Sequence, residues 1–153
     1  MTSASPTPNH EAHMREAIAA ASENPAAPFG AVLVDRTTGR VVARGVNNSR
    51  ANPTLHGEIA AINAYADAGG ADWQNLALYT TAEPCCMCQG AILWAGIAEV
   101  VYGTSIATLK QLGWKQIDLT AEEVTARSWQ PWPTITAGVL ESECDELFRA
   151  AKR

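Results

Sequence analysis

Two short segments of this sequence hold side chains that can do chemistry together: His56-Gly57-Glu58 and Pro84-Cys85-Cys86-Met87-Cys88. Cys85 and Cys88 have the C-x-x-C spacing, which lets two thiolates from one helical turn reach a single ion. A helix N-terminus lowers a thiol pKa and favours the metal-binding thiolate. With a nitrogen from His56, the protein supplies three ligands and leaves the fourth tetrahedral position for water, the arrangement of a catalytic zinc. Two thiolates offset the charge of the ion, so its water is acidified less than among neutral ligands and a base becomes useful. Glu58, two residues from His56, can take a proton and return it to a departing amine. Two other readings fit parts of the pattern. A C-x-x-C pair by itself also suits a redox couple, and a structural zinc would take Cys86 or Cys144 as a fourth ligand.

The elements that must carry these residues follow from the surrounding pattern. Asn9 caps a predicted helix running to about Ser22, ended by Pro25 and Pro28. Residues 30–35 and 40–44 flank Thr37-Thr38-Gly39 and read as a β-hairpin. An Asn-rich loop over 46–54 leads to a helix over 56–68, stopped by Gly69-Gly70. Residues 76–80 form a short apolar strand, and Pro84 opens a helix over 85–95. A strand over 99–102 is ended by Gly103, and residues 105–128 hold one or two helical pieces. A last strand over 134–136 and a helix over 141–152 close the chain. A hairpin followed by alternating helices and strands predicts an α/β domain with a mixed sheet covered on both faces. In such a fold the two motif segments sit at helix starts, where the sheet places its crevice.

At 153 residues the chain is predicted to be one domain over 9–153, with a polar, Pro-rich mobile tail over 1–8. It holds 11 Lys+Arg against 16 Asp+Glu, and its basic residues are scattered apart from Arg36, Arg40, Arg44 and Arg50. That balance disfavours nucleic acid as a partner, which would want a basic stripe. No apolar run reaches the roughly 18 residues of a membrane span. Three thiols within four residues make a poor disulfide framework, so a reducing cytoplasm is the expected address. His10 and His13 read as solvated, and Cys144 as a core residue of the last helix.

H-x-E followed by P-C-x-x-C resembles the zinc-dependent cytidine/deoxycytidylate deaminase superfamily. The likeness extends to Pro28-Phe29-Gly30-Ala31, to Val46-Asn47 ahead of Asn52-Pro53-Thr54, and to Thr81-Ala82-Glu83-Pro84-Cys85. It implies a three-layer α/β/α cytidine deaminase-like fold with a five-stranded mixed sheet. It also implies one zinc per chain on His56, Cys85 and Cys88, and hydrolysis of an exocyclic amine on a heteroaromatic ring. Glu58 would then shuttle the proton, Asn47 would hydrogen-bond the ring, Phe29 would pack against it, and the Gly57 backbone would meet a polar edge. The family position matching Gly57 is usually Ala. Two branches resemble the chain most, guanine deaminase-like enzymes and tRNA adenosine deaminases. Trp94 is similar to the first, where it helps wall a small planar pocket; the second commonly has His there. The guanine branch often carries an acid after the fourth strand, whereas no Asp or Glu lies between Tyr102 and Asp118. The implied substrate is therefore a free nucleobase or related amino ring, guanine-like, cytosine-like or triazine-like. The alternatives are a tRNA-specific adenosine deaminase and a non-catalytic zinc module. The resemblance further implies a homodimer, and Pro131-Trp132-Pro133, Trp114 and Trp129 belong either to packing or to a cover for the pocket.

Overall fold

A computed structural model of the chain describes residues 9–151; the tail expected over 1–8 lies outside them. Strands β1 (Gly30–Asp35), β2 (Val41–Val46), β3 (Leu76–Ala82), β4 (Glu99–Thr104) and β5 (Thr134–Thr136) form one sheet in the order β2-β1-β3-β4-β5. The β1–β2 and β1–β3 pairs are antiparallel, and β3–β4 and β4–β5 are parallel. The helices are α1 (His10–Ala21), α2 (Gly57–Asp67), α3 (Cys86–Ala95), α4 (Ile106–Gln111), α5 (Ala121–Ala126) and α6 (Glu141–Ala150). A short 3-10 turn precedes β3 at Trp73–Asn75.

Alternation along the strands divides the core in two. Ala31, Leu33, Leu76, Leu78 and Val100 face α2 and α3, meeting Ala61, Tyr65 and Ile92. Val32, Val34, Ala77, Tyr79 and Val101 face the other way, onto Met14 and Ala17 of α1 and Cys144 of α6. The result is the predicted α/β/α sandwich with a mixed five-stranded sheet. The α1 cap is the expected one, with Asn9 Oδ1 accepting from the Ala12 N–H at 3.0 Å.

Several expectations need correction. Gly103 does not end β4 but lies within it: a Cβ there would collide with the Cys144 side chain of α6. Pro84 sits outside α3, because Cys85 is the cap residue. His10 and His13 are not free in solvent. The His10 Nδ1 and the Tyr79 hydroxyl are 2.8 Å apart, the His13 ring packs on Tyr79 at 5.0 Å, and burial lowers the His13 pKa. Cys144 is fully buried as expected, and burial pushes its thiol up to about 12.

Candidate active site

His56 and Cys85 occupy equivalent places, each the cap residue immediately before a helix, each with extended backbone and no side-chain capping bond. Both side chains are thereby turned from their own helix ends toward each other. His56 Nδ1 lies 3.5 Å from Cys85 Sγ and 3.6 Å from Cys88 Sγ, and the three donor atoms all lie within 4.8 Å of one another. A tetrahedral zinc with ordinary Zn–N and Zn–S bonds would hold nitrogen and sulfur about 3.6 Å apart. The donor set fits that ion in chemistry and in spacing. Cys86, next to a ligand, and Cys144 stand outside this cluster, so no fourth thiol closes it.

The electrostatics favour the thiolate at Cys85. A hydrogen bond from Cys88, then one from His56, hold the Cys85 thiol down at about 4 against the opposing effect of burial. The same pairing, with burial, drives Cys88 upward, and the hydrogen bond with Cys85 raises His56. Both helix N-termini add positive potential at this point.

Glu58 is 3% exposed, in the first turn of α2. Burial raises its pKa most, the nearby Cys85 adds to the rise, and the Thr80 hydrogen bond and His56 oppose it. The Thr80 hydroxyl lies 2.8 Å from Glu58 Oε1 and 2.9 Å from the Ala82 carbonyl oxygen. It has one proton to share between those two acceptors. A carboxylate with raised basicity beside a metal position is suited to taking up and releasing a proton.

A cavity of about 350 Å³ opens over these groups. His56, Glu58 and Cys85 line its floor, with Asn47 and Phe29 on its walls. Asn47 is 6% exposed and held at its backbone, donating to the Phe29 carbonyl at 2.9 Å and accepting from Asn24 Nδ2 at 2.8 Å. Phe29 packs edge-on against Trp114 and tilted against Phe148.

Two predicted contact residues stand elsewhere. Gly57 does not line the cavity; it is buried beneath Phe29, whose carbonyl oxygen would lie 2.5 Å from any Cβ at this position. Trp94 is 79% exposed on the outer face of α3 and packs at a tilt on Trp129, with ring centroids 4.5 Å apart. It walls no part of the pocket of its own chain. In their place the structure brings Ser49, Glu83, Trp114, Lys115 and Gln116 to the lining. Glu83 had a sequence signal in its position just ahead of Pro84-Cys85. The 113–116 segment had only its unexplained Trp114, since a loop carries no periodicity to read.

Comparison with known proteins agrees with this geometry. The profile of the cytidine and deoxycytidylate deaminase zinc-binding region matches residues 7–104. The guanine deaminase of Bacillus subtilis (strain 168) is 37% identical over 135 residues, covering 80% of this chain and 85% of that protein. The tRNA-specific adenosine deaminase of Buchnera aphidicola subsp. Baizongia pistaciae (strain Bp) is 36% identical over 124 residues, covering 79% of this chain and 72% of its own. The solved guanine deaminase of Nitrosomonas europaea superimposes with a TM-score of 0.75 at 26% identity, over 97% of this chain and 85% of the other.

Proposed function

The chain belongs to the zinc-binding cytidine and deoxycytidylate deaminase family, and from that premise we propose that it removes the exocyclic amine of a free nucleobase or a related small amino heterocycle, as ammonia, in one domain over residues 9–153. The observation that carries this reading is the buried Glu58 on the same cavity floor as His56 and Cys85 of the His56–Cys85–Cys88 donor set. A resident zinc on that set supplies Lewis acidity and an activated water. The remaining work falls to side chains. Glu58 takes one proton from the attacking water and gives it to the ring nitrogen, then takes the proton of the newly added hydroxyl and gives it to the amine, which departs as ammonia and leaves an oxo group on the ring. Asn47 hydrogen-bonds the ring and fixes which carbon is presented. Phe29 lies along the ring face, and its packing on Trp114 and Phe148 keeps that wall from shifting.

The free base is favoured over tRNA by the cavity and by charge. A space of about 350 Å³ is of the size that small-molecule sites use. The net charge is −5, and an anticodon loop would need phosphate-facing cations, of which the stretch between Tyr102 and Asp118 offers Lys110 and Lys115 alone. A soluble cytoplasmic enzyme is the setting proposed: no helix among the described residues is long and apolar enough to cross a membrane. A homodimer is also proposed, with the exposed Trp94–Trp129 pair as its contact, since paired bare indoles on one face mark association surfaces.

The direct test is ammonia release from guanine, adenine, cytosine and ammeline and from their nucleosides, with Glu58→Ala beside the native chain. Turnover of at least one free base is expected, with a loss of roughly 10²–10⁴-fold in the variant while zinc content stays at one per chain. Near-normal turnover by Glu58→Ala would remove the assigned mechanism. Silence on all free bases, with inosine formed in a tRNA anticodon loop, would replace this reading by the tRNA one.

A further inference from the structure

The geometry points to Lys115 as a specificity-determining residue, which selects rings whose edge remote from the amine carries oxo groups or negative charge. This rests on the deaminase reading above and extends it to the chemistry of the substrate.

Five polar side chains line the cavity away from the metal ligands: Asn47, Ser49, Glu58, Glu83 and Gln116, and Lys115 joins them as the single cation. The two carboxylates are committed. Glu58 lies on the floor. Glu83, 6% exposed, uses one oxygen to accept from the Ile106 N–H and the other from the Ala121 N–H, each at 2.9 Å. These are the first helical residues of α4 and α5, so Glu83 grips the starts of the two helices that flank residues 112–120. One backbone donor on each oxygen fixes this buried carboxylate in the wall.

The segment between those helices is fixed at its near end as well. Gly113 N–H donates to the Lys110 carbonyl and Trp114 N–H to the Leu109 carbonyl, both at 3.0 Å, which closes α4 and starts the loop across the cavity. Trp114 is anchored on Phe29 and Phe148. Lys115 and Gln116 follow at the rim. Lys110 is paired with Asp118 at 3.0 Å, while no carboxylate pairs with Lys115 among the described residues. Amides and hydroxyls at the wall can donate or accept, but an ammonium only donates. A ring edge that presents N–H groups gains nothing from it; an edge that presents oxo oxygens or an ionised nitrogen gains a charge-assisted hydrogen bond.

The test uses the zinc-loaded full chain and calorimetric titration with two rings of one skeleton. Xanthine carries two oxo groups and ionises in mildly alkaline solution; unsubstituted purine carries none. The native protein is expected to bind xanthine about tenfold or more tightly than purine, the scale of one hydrogen bond to a charged group. Lys115→Gln should bring the two within about threefold by weakening xanthine alone, and Lys115→Glu should favour purine, with melting temperatures unchanged. Equal affinities in the native protein, binding of neither ring, or variants that weaken both rings alike would overturn the assignment. Ammonia release from the native enzyme with a substrate ranking that ignores Lys115 would sink this inference and leave the deaminase. Xanthine binding that depends on Lys115, without ammonia from any ring, would do the reverse.

Discussion

At the scale of single residues, one lining side chain of the site is held wholly by backbone groups. It is Glu83: each carboxylate oxygen takes one helix-terminal N–H. Glu83→Gln keeps the shape but turns an amide N–H₂ toward one of those donors. A buried backbone donor left without its acceptor costs about 1–3 kcal/mol. The melting temperature should fall by several degrees, at about 2–4 °C per kcal/mol for a chain of this size, while zinc content is unchanged. A melting curve identical to that of the native chain would mean that neither helix start depends on Glu83. The sequence could place Glu83 beside Cys85 but could not name its partners, because they lie 23 and 38 residues away. His56, Cys85, Cys88 and Glu58 were legible for the opposite reason. Their chemistry is written in residue type and short spacing, and local backbone rules put them at helix starts.

At the scale of elements, helix α2 positions both a metal donor and the proton carrier, and its distance from the sheet is set by close backbone contact. Gly57 meets the Phe29 carbonyl so closely that a Cβ would sit 2.5 Å from its oxygen. Gly57→Ala should therefore push the start of α2 away from Phe29, at a cost of about 1–3 kcal/mol for overpacking, and lower kcat/KM along with the melting temperature. Unchanged melting and kinetics would show that α2 has room to yield. Local periodicity and caps predicted the five strands and helices α1, α2, α3 and α6 to within a few residues, and gave only one or two helical pieces over 105–128, where α4 and α5 stand. They failed where a neighbour decides the outcome: Gly103 was read as a breaker, yet it is small because Cys144 of α6 needs its place. Trp94 was expected to wall the pocket from the resemblance to guanine deaminase-like enzymes, while helix phase sends it outward.

At the scale of the whole molecule, that outward Trp94 becomes informative. Trp94, Trp129 and Trp132 are 79%, 60% and 39% exposed, and Gln130 ties their loop to α3 by donating to the Leu93 carbonyl at 3.1 Å. A tethered aromatic face of this kind is expected to be covered in a two-fold pair, where one patch serves both copies. Light scattering should give twice 16.3 kDa for the native chain and a shift toward the single mass for Trp94→Glu. A native chain that runs at the single mass at all concentrations would remove the dimer.

The strand order carries a consequence for how the site comes into being. The β1–β2 hairpin is local, with Val34 paired to Val41 across a short turn. The β1–β3 pairing joins Ala31 to Thr80, and β3 stands between the segment that ends in His56 and the one that begins at Cys85. Closing that loop costs chain entropy before any contact repays it. The hairpin can therefore form early in folding, but His56 and Cys85 meet only after β3 has docked on β1. A nascent chain that has made only its local structure holds two isolated half-sites, and the capacity to grip an ion arrives in one step with the central strand.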